Sequence, residues 1–112
     1  MEHGTSSSIS RLIAAQRLAA DLMELAAEHG AKHIPSITAN AIGVEIYLHM
    51  QDKPTDGEVA AWQLATGGVW NIETTRFMYE GRPVKTDRAV VRFGDIPVSI
   101  CVCTTGALVV AA

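Results

Sequence analysis

From Val44 to Met50, apolar and polar residues alternate without exception: Val44, Ile46, Leu48 and Met50 against Glu45, Tyr47 and His49. A period of two marks a strand with one buried face. Upstream the period is helical. Ile9, Leu12, Ile13, Leu18, Leu22, Met23, Leu25 and Ala26 recur at three- and four-residue spacing, with Arg11, Arg17, Asp21, Glu24 and Glu28 mostly opposite, which predicts a helix over 9–29. Serines at 6, 7, 8 and 10 offer caps at its start, and Gly30 supplies a stop. Ile34-Pro35 breaks regularity, and Ser36–Ala39 could form a short edge strand. Thr55-Asp56-Gly57-Glu58 reads as a capping box for a second helix over 56–66, which Gly67-Gly68 would end.

The stretch from Trp70 to Cys103 reads as three antiparallel strands. With Glu80-Gly81-Arg82-Pro83 taken as a four-residue turn, Tyr79 faces Val84, Trp70 faces Phe93, Ile72 faces Val91, Thr74 faces Ala89 and Arg76 faces Asp87. Gly94-Asp95 is a two-residue hairpin signal that sets Phe93 against Ile96, Val91 against Val98 and Ala89 against Ile100. The two turns agree on one apolar face, and a slip by one residue would scatter it. The other face then carries Asn71, Glu73, Thr75, Phe77 and Tyr79 beside Arg92, Val90, Arg88, Thr86 and Val84.

A short strand–helix–strand connection suggests a right-handed crossover, which would lay 43–50 parallel to and beside 69–79. Pro97 favours an open edge beside the last strand. The expected architecture is α+β in the order αβαβββ, a four-stranded, mostly antiparallel sheet with both helices on one face. Its strand order would be 44–50, 69–79, 84–93, 96–104. At 112 residues the chain suits a single domain, with Met1–Ser8 as a flexible lead-in. Ala107–Ala112 is apolar, which suits either a further strand or an interface cover.

Composition changes this picture little. Hydrophobic residues make up 48% and charged residues 19%, a globular balance. No apolar run reaches the roughly 18 residues of a membrane helix, and the start lacks the pattern of a signal peptide, so the expected location is cytoplasmic. The net charge of −3 is unevenly spread. Up to Thr74 there are four basic and nine acidic residues; from Thr75 there are five basic and three acidic, so −5 becomes +2. Cys101 and Cys103 stand two apart on one strand, near the upper limit of about 6.8 Å between Cα atoms for a disulfide, and are expected as free thiols.

Chemistry-bearing patterns are sparse. His29 and His33 beside Glu28 have helical metal spacing, but Gly30 interrupts the helix. Glu45, Tyr47 and His49 share a strand face, yet Glu45 and His49 would lie roughly 13 Å apart. No nucleophile elbow, phosphate loop, dinucleotide fingerprint or zinc motif occurs, and no catalytic residue, metal or cofactor is assigned.

Three functional expectations follow. The first is a non-catalytic, homo-oligomeric interaction module, self-associating through the sheet or the first helix, with Phe77, Tyr79, Val84, Arg88 and Arg92 as interface candidates. The second is a small-ligand or enzymatic pocket between helices and sheet, lined by Tyr47, His49, Trp62 and Trp70. The third is nucleic-acid contact by a two-stranded ribbon carrying Arg76, Arg82, Lys85, Arg88 and Arg92; the partial cancellation by Glu73, Glu80 and Asp87 weighs against it.

Overall fold

The computed structural model describes residues 7–51 and 56–109. The elements run α1 (Ser8–Glu28), β1 (Ser36–Ala39), β2 (Val44–Gln51), α2 (Asp56–Ala65), β3 (Glu73–Tyr79), β4 (Arg82–Phe93) and β5 (Ile96–Thr105). The fold is α+β, as the periodicities require. The sheet, however, is five-stranded and mixed, in the order β1-β2-β5-β4-β3. Ser36–Ala39 does form an edge strand, antiparallel to β2.

Ser7 caps α1 by accepting a hydrogen bond from the Ser10 amide. At the other end the Ala31 amide donates to Ala26 O and the Gly30 amide to Ala27 O, a Schellman closure. The face of α1 that meets the sheet is Ala15, Ala19, Leu22 and Ala26, so small residues bring the helix close. α2 contributes Trp62 and Ala65 to the same core. From the sheet come Val44, Ile46, Leu48 and Met50 of β2 and Val98, Ile100 and Val102 of β5. Both helices therefore cover one face.

The capping box lies partly outside the described residues, since Thr55 is not among them. Glu58 itself is 5% exposed and reaches elsewhere. Its Oε1 accepts from the Lys32 amide at 2.9 Å and its Oε2 from the His33 amide at 3.1 Å, which ties α2 to the loop after α1.

Three expectations about the sheet are corrected. The neighbour of β2 is β5, in parallel register Val44↔Val98 to Gln51↔Thr105, and not the strand after α2. β3 keeps the direction of β2 but sits two strands further out. The reason lies in side-chain character. β5 carries no charged residue and has no exposed position, half of its residues being buried, as suits a central strand; β3 is exposed at all seven positions, as suits an edge. Pro97 is compatible with this centre because β2 begins beside Val98, so the missing amide faces no strand partner. Gly43 lies against Pro97 instead, and a Cβ there would meet Pro97 Cγ at 2.9 Å as well as the Pro97 carbonyl.

The β4–β5 hairpin has the expected register, Phe93↔Ile96, Val91↔Val98 and Ala89↔Ile100. The β3–β4 hairpin is displaced by two residues, pairing Tyr79↔Arg82, Phe77↔Val84 and Glu73↔Arg88. Its turn is Glu80-Gly81 alone, with φ of 50° and 76°. Two positive φ values make the type I′ turn whose twist suits a hairpin. Pro83 does not end the strand. It occupies a non-hydrogen-bonded position, and its carbonyl points away from β3 to accept from the Gly106 amide. Consequently Arg76 faces Lys85 and not Asp87, while Thr74 Oγ1 donates to Asp87 Oδ1 at 2.6 Å. Trp70 and Ile72 precede β3 and pair with nothing in the sheet; Trp70 still packs on the core and donates from Nε1 to Thr66 Oγ1.

Candidate functional site

A shift of two residues preserves which face each side chain takes, so the second face of the sheet is populated much as expected. The ladders assemble it in rows. Ser36, Tyr47, Cys101, Arg88 and Glu73 lie across the sheet in one row. His49, Cys103, Thr86 and Thr75 form the next, followed by Thr105, Val84 and Phe77. Tyr79 and Arg82 close the hairpin end. No helix among the described residues packs on this face, because both belong to the core on the other side.

The interface candidates are partly gathered. Phe77 and Val84 are directly opposed and Tyr79 is next along β3 on the same face. Val84 is buried, whereas Phe77 is 47% and Tyr79 62% exposed. Arg88 stands between Glu73 and Cys101, and its Nε donates to Ser99 Oγ at 3.0 Å. Arg92 pairs with Pro97, eight residues or about 26 Å along β4 from Val84. The exposed aromatic residues are thus gathered at the β3–β4 hairpin end, and Val90 is a separate exposed apolar residue further along β4.

The four pocket candidates divide between the two faces. Trp62 and Trp70 are on the helix side, joined through Thr66, whose hydroxyl donates to Trp62 O and accepts from Trp70 Nε1. Tyr47 and His49 are on the open face, their rings stacked with centroids 6.1 Å apart. A cavity of about 180 Å³ lies elsewhere, between the start of α1, the β1–β2 turn and the β4–β5 turn, lined by Ser10, Arg11, Asn40, Ile42, Asp95 and Ile96. It is smaller than the roughly 300–1,000 Å³ of ligand pockets. No sequence pattern pointed there, because its walls come from three separated turns and ends.

The basic residues of the ribbon are also divided: Arg76 and Lys85 project to the helix side, Arg82, Arg88 and Arg92 to the open side. Lys85 is paired with Asp87 at 3.3 Å. His29 caps α1, the His33 amide is held by Glu58, and no group of three metal-ligating residues occurs among the described residues. Cys101 and Cys103 are free thiols. Burial, reinforced by Cys103 and Asp87 and opposed by Arg88, pushes the Cys101 thiol above its ordinary value, so it stays protonated and unreactive at neutral pH. Among the described residues no helix is long and apolar enough to cross a membrane. Comparison with protein-family models, curated proteins and solved structures finds no match to this chain.

Proposed function

We propose that the chain is a non-catalytic, self-associating interaction module. The observation that carries this reading is the one-sidedness of the sheet. Helices cover one face, and the other presents Phe77, Tyr79 and Val90 at 47–62% exposure with no covering layer among the described residues. Exposed aromatic groups beside arginine are the composition of contact surfaces. α1 adds a second exposed apolar set, Ile9, Ile13, Met23 and Leu25. Neither surface brings a nucleophile, a base and a cavity together, so the reading is of contact and not of chemistry. Sedimentation velocity across the micromolar range tests it. A sedimentation coefficient that rises with concentration supports self-association; monomer alone at several hundred micromolar overturns it.

A further inference from the structure

We infer that the protein dimerises by antiparallel pairing of β3 with β3 of a second copy, Phe77 lying on the two-fold axis, so that two five-stranded sheets continue into one. This rests on the self-association reading and names where it takes place.

The edge itself is the first observation. All seven residues of β3 are exposed, on both faces. The strand contains no proline, no lysine and no bulge, three of the devices that blunt free edges; its two charged residues are Glu73 and Arg76. The opposite edge, β1, is different: four residues long, preceded by Pro35 and packed against α1.

Hydrogen-bond direction is the second. In a two-residue hairpin the closing pair, Tyr79/Arg82, is the hydrogen-bonded kind, and alternate pairs follow it. Glu73, Thr75, Phe77 and Tyr79 therefore turn their amides and carbonyls to β4. The Gly106 amide on the Pro83 carbonyl fixes this phase independently. The amides and carbonyls of Thr74, Arg76 and Met78 point out of the sheet edge, where water or another strand can satisfy them.

Charge and symmetry choose the strand. Arg76 faces Lys85 across the ladder, and among the described residues it has no carboxylate within ion-pair distance. A partner strand could supply that counter-charge. A two-fold axis normal to the sheet keeps each residue on its own face, so only registers that oppose residues of equal parity are allowed. Centring on Arg76 would oppose two guanidinium groups directly, which is unfavourable. Centring on Met78 would make Glu80 the hydrogen-bonding partner of Arg76, and its φ of 50° is not that of a strand. Centring on Phe77 opposes the two Phe77 rings, sets Thr75 against the partner's Tyr79, and places Arg76 diagonal to the partner's Glu80. Arg76 and Met78 then exchange the outward hydrogen bonds. A strand edge that completes itself in this way needs no foreign partner.

Met78→Pro tests the geometry. It removes an outward amide and leaves the bonds to β4 intact, since an edge strand tolerates proline where its amide faces away. The dimer should weaken roughly thirtyfold, as the symmetric loss of two hydrogen bonds implies, with the melting temperature of the monomer nearly unchanged. Phe77→Cys should form an intermolecular disulfide on mild oxidation that the parent chain does not form, because the non-hydrogen-bonded pair on the axis has disulfide spacing. A wild-type dimer that Met78→Pro leaves intact, Phe77→Cys fails to cross-link, or Ile13→Glu on α1 abolishes would overturn the β3 interface and leave self-association standing. A wild-type monomer would remove both, even if β3 captured an unrelated extended peptide.

Discussion

Glu58 offers the sharpest check on how the fold is tied together. Its buried carboxylate accepts two backbone amides, from Lys32 and His33, more than twenty residues earlier. Hydrogen bonds to a charged acceptor contribute about 1.5–3 kcal/mol each. Lys32 and His33 are exposed, so their amides rehydrate when released, and the lower end applies. Glu58→Ala should therefore cost about 2–3 kcal/mol in total. For a domain of this size that lowers the melting temperature by roughly 8–12 °C. Glu58→Gln keeps one accepting oxygen and turns an amide donor towards the other N–H, a loss of about 1–2 kcal/mol. The distinction matters, because in a capping box Gln serves as well as Glu. Thermal melts and urea titrations followed by circular dichroism measure both variants, with m-values reporting whether the unfolded state has changed. The loss should persist in about 0.5 M salt, which screens ion pairs but not a buried carboxylate on backbone amides. A Glu58→Gln protein as stable as wild type, or a Glu58→Ala protein within about 0.5 kcal/mol of it, would refute the tie.

Three further outcomes are expected. Gly43→Ala places a methyl group into the Pro97 backbone and ring, and should destabilise by about 1–3 kcal/mol in urea titration; a neutral result would mean that the β2–β5 seam is looser than described. Cys103 should alkylate before Cys101 at pH 8, read by mass spectrometry of timed samples, because Cys101 is more buried and its thiol is held above 9.0. The sign for stability follows. The folded state resists ionising Cys101 more than the unfolded chain does, so the stability attached to this group is constant below pH 9.0 and declines as pH rises through the folded value. Cys101→Ser should flatten that decline, and an identical alkaline slope in both proteins would contradict it.

Periodicity made β2, the β4–β5 hairpin and both helices readable, since each rests on local geometry. The β3–β4 register was displaced because Pro83 reads as a strand breaker, and whether its amide is needed depends on which pairs of the ladder are hydrogen-bonded. Strand order depends on relative burial. The absence of charge in β5 was present in the sequence as a sign of a central strand, and the polarity of β3 on both faces as a sign of an edge. The brief α2 connection suggested adjacency of β2 and β3, but a chain can leave β2, cross the helix and start at the far edge, then return strand by strand to β5. The open face was legible because a two-residue shift keeps every side chain on its side. The free edge of β3 was not, since it exists only once β5 has taken the central place.

The β3 pairing is tested most directly by amide exchange of the wild-type protein at about 5 and about 500 μM, concentrations that bracket ordinary weak dimers. The account predicts slower exchange at the higher concentration for the amides of Arg76 and Met78, with those of Thr75, Phe77 and Tyr79 unchanged because β4 already holds them. Exchange at Arg76 and Met78 that is fast and independent of concentration, in a protein that nevertheless associates, would contradict it.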